Sequence, residues 1–409
     1  MKRAVVTGIG VVAPNGIGTS AFWEATREGR SGIARITHFD PSSYPTQFAG
    51  EVKGFDATKY IDQRLIVQTD RWTWMAMAAT QEALKDAALD LTKEEPSKMS
   101  VITASSSGGN EFGQKEIQSL WAKGPLFVGA YQSIAWFYAA TTGQIAIKHV
   151  MKGPCGVMIS EGAGGLDAVA HTRRNIRRGT EVAVSGGLEA PIGPYALACQ
   201  LKSGLLSPSR DGNGYRPFDA RANGFLPGEG GAILLVEELE HARKRGARIY
   251  GEVAGHAATH DGYHHHKPAP DGKSFARAMA LALKDARVAP DQVDVVFADA
   301  AGTLEGDALE IKALREALGP RASTVPVTAP KSMVGRLYAG GASLDLATAL
   351  LAMRDGVIPP TVGLEKPAPD GHVDFVTGKA RNAKVETVLV NARGYGGFNS
   401  AMVLRKLDS

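Results

Sequence analysis

Short, continuous apolar runs rich in β-branched residues recur along the chain. They include Val101-Ile102-Thr103, Val182-Ala183-Val184, Ile233-Leu234-Leu235-Val236, Val293-Asp294-Val295-Val296-Phe297 and Val388-Leu389-Val390. Such runs predict strands buried on both faces. Between them lie stretches rich in Ala and Leu, at residues 276–286 and 344–354, which predict helices; Gly356 closes the second. Alternating strands and helices predict an α/β fold in layers.

No linker, low-complexity tract or charge block divides the chain. A softer boundary falls where residues 237–246 read as an exposed charged helix ending at Gly246, followed by a strand at residues 249–253. Each side of it begins with a strand and a helix and ends in paired strands. The expectation is two similar halves, residues 1–250 and 251–409.

The 409 residues are 44% hydrophobic and 22% charged, enough for one large core or two fused ones. A net charge of +4 is far from the footprint of a nucleic-acid binder. Two cysteines, Cys155 and Cys199, exclude a disulfide framework and a four-cysteine zinc site, which fits a reduced, cytoplasmic compartment. The apolar start of the chain is broken by Gly8, Gly10 and Pro14, so it reads as a strand and turn rather than a signal peptide. No apolar stretch approaches the roughly 20 residues that span a bilayer.

Residues 157–178 read as a strand end, a tight turn and a helix stopped by Gly179, with Leu166, Val169 and Ala170 facing the core. A strand-turn-helix of this form presents its turn residue at a helix N-terminus, where amide groups and the dipole favour negative charge. The turn residue here is Gly162, which has no side chain to offer.

Several segments carry a resemblance. They are Gly164-Gly165-Leu166-Asp167 after the turn, Ser185-Gly186-Gly187-Leu188-Glu189-Ala190, and residues 216–231, from Arg216-Pro217-Phe218-Asp219 to Gly228-Glu229-Gly230-Gly231. In order and spacing they resemble the β-ketoacyl-ACP synthases over essentially the whole chain. Residues 161–168, Phe297-Ala298-Asp299-Ala300, residues 335–341 and residues 392–401 look most like the chain length factor, or ketosynthase β subunit, of type II aromatic polyketide synthases. The resemblance implies a thiolase-like αβαβα fold built from two similar halves.

It also implies where chemistry has been lost. The positions of the nucleophilic Cys and the two His hold Gly162, Ala301 and Arg336. Arg336 keeps a donor fork but cannot act as a base, since its pKa lies above about 12. Most chain length factors have Gln where this chain has Gly162. Lys331 and Asp345 are expected as a structural ion pair beneath the former site, and Glu229 as a turn-fixing residue.

The implied function is a non-catalytic subunit paired with a ketosynthase α subunit that carries the intact Cys and His. That complex extends malonyl units held on an acyl carrier protein, and the subunit needs no cofactor of its own. The helix within residues 105–121 is implied to line a tunnel at the subunit interface, with Asn110, Gly113 and Ile117 on one face. Close helix packing is the competing reading of Gly113. Two rival functions are a malonyl-ACP decarboxylase that supplies the acetyl primer and a scaffold that only stabilises the α subunit.

The remaining signals have plainer readings. The aromatic stretch 128–138 fits internal core or a subunit contact. Cys155 reads as a small buried hydrophobe. The arginines of residues 173–178 suit a helix C-terminus. His260 and His264-His265-His266 read as a solvated loop, with no metal site expected.

Overall fold

In the computed structural model, which describes residues 2–368 and 372–407, the predicted strands form a 12-stranded mixed sheet. Five strands carry the first part: Ala4–Ala13, Met99–Ala104, Cys155–Met158, Val182–Glu189 and Gly230–Glu238. Five carry the second: Gly251–His260, Val295–Phe297, Pro326–Thr328, Thr387–Gly394 and Phe398–Arg405. In both sets the lateral order is third, second, fourth, fifth, first. The third, second and fourth strands are parallel, and the fifth runs antiparallel to its neighbours. The two first strands join the sets through Val5 opposite Glu252 and Val6 opposite Gly251.

Two helices, Gly164–Arg177 and Ala339–Asp355, pack against strands of both sets and form the middle layer. Leu166, Val169, Leu346 and Leu350 share one apolar cluster with Ile9 and Leu234 on one side and Val390 and Met402 on the other. Burying each such side chain contributes about 1.5–3 kcal/mol. Of the Ala339–Asp355 helix only Gly341, Arg354 and Asp355 escape full burial, as a helix enclosed by two sheets requires. It starts five residues before its predicted start, because its first turn is small residues with no apolar signal. Those residues permit close approach: a β carbon on Gly340 would sit 2.2 Å from the Gly230 carbonyl. On the partner helix, a β carbon on Gly165 would meet Ser343 Oγ at 2.4 Å.

The outer layers complete an αβαβα stack. The Arg71–Asp86 helix covers the first set of strands, and Lys273–Ala286 with Leu304–Leu318 covers the second. Arg173, expected to serve the helix dipole, instead reaches out of the middle layer to Asp285 on the outer layer at 2.5 Å and to the Ala254 carbonyl. No described helix is long and apolar enough to cross a membrane.

Candidate functional site

The Cys155–Met158 strand leads through Ser160 into a single 3₁₀ turn, Glu161–Ala163, and then into the Gly164–Arg177 helix. Glu161 takes φ +48°, a left-handed conformation uncommon for a non-glycine residue. Gly162 is enclosed: an added β carbon would lie 2.5 Å from the Arg393 carbonyl oxygen and 3.4 Å from Arg336 Nη2. Within the turn, Ala163 N–H donates to the Ser160 carbonyl at 3.1 Å, so that amide is not left to polarise a thioester carbonyl.

Arg336 packs over the elbow, 3.4 Å from where a Gly162 β carbon would lie, and three of its five N–H donors are engaged there. Nη2 donates to Asp299 Oδ1 and to the Arg393 carbonyl, both at 3.0 Å, and Nη1 donates to the Asp299 carbonyl at 3.3 Å. Asp299 also receives Arg393 Nε and the Arg393 amide, each at 2.9 Å. Burial alone would raise the pKa of Asp299, but Arg336, Arg393 and Lys331 outweigh it and hold the carboxyl well below its usual range. Burial likewise opposes charge on Arg336, and Asp299, Glu161 and Tyr215 reverse that, fixing the guanidinium as a cation. Glu161 is pushed up by burial, partly offset by Arg336.

Ala301 lies two residues beyond Asp299 in a tightly held loop. Its neighbour Ala300 takes φ +54°, donates to Glu310 Oε2 at 2.8 Å and accepts the buried Tyr215 hydroxyl at 2.6 Å. Lys331 and Asp345 meet at 2.6 Å with almost no exposure, joining the Pro330–Met333 turn to the middle helix. Burial lifts the Asp345 carboxyl to about 6 in spite of Lys331. Glu229 accepts from Arg71 and from the Val52 amide, tying the first strand set to the outer layer.

Asn110, Gly113 and Ile117 stand apart on the Asn110–Lys123 helix. Its start is held by two buried carboxylates. Asp70 receives the Phe112 amide at 2.8 Å, and Glu189 collects the amides and hydroxyls of the Ser105–Ser107 approach. Gly113 is buried, and a β carbon there would touch Trp136 Cδ1 at 2.9 Å, so close packing does contribute at this position. Ile117 is 48% exposed, and beyond it Trp121 is 81% and Leu126 95% exposed.

Phe127, Tyr131, Trp136 and Phe137 extend the same apolar surface, so most of the aromatic stretch is outside the core. The Cys155–Met158 strand is an edge of the sheet. Cys155 is therefore exposed, contrary to the burial expected of it, because no described strand pairs beyond that edge. Cys199 is exposed as well. The histidine loop is solvated as expected, with Gly262, Tyr263, His265 and Lys267 exposed, and one ring nitrogen from each of His264, His265 and His266 lies within 4.8 Å of the others.

The structure thus brings Gly162, Arg336 and the Ala301 loop together and keeps the Asn110–Lys123 helix separate. Sequence reasoning did not single out Arg393, Glu189 or Trp136. Arg393 lies in Asn391-Ala392-Arg393-Gly394, at the end of a buried run, and a charge in that place was the available signal.

The scaffold is thiolase-like, and Arg336 packs over an elbow that has no side chain. The β-ketoacyl synthase N-terminal domain matches residues 1–242 and its C-terminal domain residues 250–365, and the chain belongs to that family. Within it, the chain is 53% identical to the tetracenomycin polyketide synthase ketoacyl synthase beta subunit of Streptomyces glaucescens, over 98% of each chain. Among solved structures, the ishigamide ketosynthase/chain length factor superposes with a TM-score of 0.93 at 29% identity, over 100% of both chains. AntDE:AntF, described as a type II acyl-carrier protein in complex with its ketosynthase bound to the hexaketide, gives 0.91 at 27%, also over 100% of both.

Proposed function

We infer that this chain is the non-catalytic β subunit, the chain length factor, of a type II polyketide synthase ketosynthase. It pairs with a homologous α subunit that supplies the Cys and His residues and receives malonyl units from an acyl carrier protein. Its two halves are residues 1–250 and 251–409, and it works in the cytoplasm. The observation that carries the reading is the Arg336–Asp299–Arg393 cluster packed over Gly162, which occupies the place of the nucleophile and its bases.

The apolar surface and the uncovered sheet edge support the partner. Trp121, Leu126, Phe127, Trp136 and Phe137 lie close in sequence and are exposed, and the Cys155–Met158 strand is an open sheet edge. A contiguous patch of this kind marks an interaction site, and an open edge invites pairing. Trp121→Asp combined with Leu126→Asp is expected to abolish co-purification with the α subunit. Loss of one central apolar anchor typically costs about 2 kcal/mol or more, roughly 30-fold in affinity. Undiminished co-purification would overturn this placement of the interface.

We assign chain-length control to the face carrying Asn110, Gly113 and Ile117. In the co-expressed complex, Gly113→Phe must displace the Trp136 indole and is expected to shorten the product. Ile117→Ala removes bulk and is expected to lengthen it. Mass spectrometry of the released polyketides reads both. If the complex forms and product length is the same in both variants, the subunit is a scaffold only.

A further inference from the structure

We propose that His264, His265 and His266 form a binding site for a borderline divalent transition-metal ion of the Zn²⁺ and Ni²⁺ class, at the mouth of the degenerate elbow. The three rings are packed together, with centroids 4.2 Å apart for His264 and His265, 4.1 Å for His265 and His266, and 4.4 Å for His264 and His266. One nitrogen from each lies within 4.8 Å of the others. Tetrahedral coordination at 2.0–2.1 Å needs ligand nitrogens about 3.3 Å apart, a distance that modest side-chain rotation reaches.

The backbone that presents the rings is already organised. Asp261 closes the loop by accepting the Ala269 amide at 2.9 Å and Asn399 Nδ2 at 2.7 Å, while its own amide donates to the Gly397 carbonyl at 2.8 Å. Ordering of the loop, a main cost of building a site from flexible chain, is therefore met before an ion arrives. His264 Nδ1 accepts a 3.2 Å bond from the His266 amide. Coordination through that nitrogen replaces one weak hydrogen bond.

The location gives the ion a structural part. His266 stacks on Tyr395 at 6.2 Å, and the Tyr395 amide donates to Glu161 of the elbow at 2.7 Å. His260 packs edge-on against Phe398 at 5.0 Å. An ion on the three imidazoles fixes this loop against the turn that spans residues 394–398, which is tied to Glu161 of the elbow.

The experiment is calorimetric titration of the untagged, full-length protein with Zn²⁺ and with Ni²⁺ at neutral pH. Wild type and His171→Ala, altered on the middle helix, are expected to bind one ion per chain with the same affinity. His265→Ala combined with His266→Ala is expected to weaken binding by at least the roughly tenfold that loss of even an outer-shell partner costs. Electron paramagnetic resonance of wild type loaded with Cu²⁺ should show coupling to several imidazole nitrogens, a readout that does not depend on how the variant folds. Absence of saturable binding, equal affinity in the double variant, or a spectrum without nitrogen coupling would each overturn the proposal.

Discussion

Asp299→Asn is expected to destabilise the protein by about 3–5 kcal/mol, the cost of leaving buried charges without their partner. Asp299 is 2% exposed and the counter-ion shared by Arg336 and Arg393. An amide of the same size keeps the shape but presents no charge to two enclosed guanidinium groups. Its pH dependence identifies the cause. The folded carboxyl titrates below its unfolded value near 3.8, so its contribution is fully present above that value. It is lost as the pH falls through the folded pKa. Wild type should therefore lose stability on acidification below about pH 4, and the Asn variant should lack that component, so the two curves converge in acid. Urea unfolding followed at several pH values measures both. A neutral-pH difference under about 1 kcal/mol would show that the cluster is not what holds this region.

Gly162→Cys, which restores the nucleophile in name, is expected to give neither condensation nor an acyl-enzyme. The new β carbon meets a backbone carbonyl, that of Arg393, rather than the end of a flexible side chain. Overpacking of this kind costs about 1–3 kcal/mol. The thiol would face an arginine with a raised pKa, which cannot take its proton. Thermal melting should show the loss of stability, and incubation with an acyl-carrier substrate should leave the variant unlabelled by mass. An acyl label on the thiol introduced by Gly162→Cys would refute this reading of the elbow. The same geometry predicts no CO2 above the blank when the isolated subunit meets malonyl-ACP, since Gly162 offers no side chain and the Ala163 amide already has an acceptor.

The strands and central helices were legible because each is a local pattern. Val182–Glu189 and Thr387–Gly394 are apolar runs bounded by breakers, and Leu166, Val169 and Ala170 repeat at helical spacing. The elbow was legible as a strand, a Gly-rich turn and a helix. Its filling was not. Gly162, Asp299, Arg336 and Arg393 come from four separated segments, and no periodicity within any of them records that they meet. Close packing at Gly113 was one of its two readings, but that Trp136 is the residue it packs against escaped for the same reason. Cys155 was misjudged because its strand sits at the edge of the sheet, and lateral strand order is a property of the whole chain. Arg173 reads as one basic residue among several until the fold supplies Asp285 from the next layer.

The Asn110–Lys123 helix is fastened toward its start, where Gln114 also receives the Tyr195 amide at 2.9 Å, and its far end is the more exposed. Asp70 and Glu189 clamp its start, while Trp121, Leu126 and Phe127 at and beyond its far end project from the chain. It is a cantilever, and a cantilever takes its tip position from whatever loads it. Asn110 sits at the clamp and is set by this chain alone. Ile117 sits out along the beam, where the surface pressed against the tip sets its place. On the reading proposed above, the ruler for the polyketide is graduated by one subunit and brought to zero by the other.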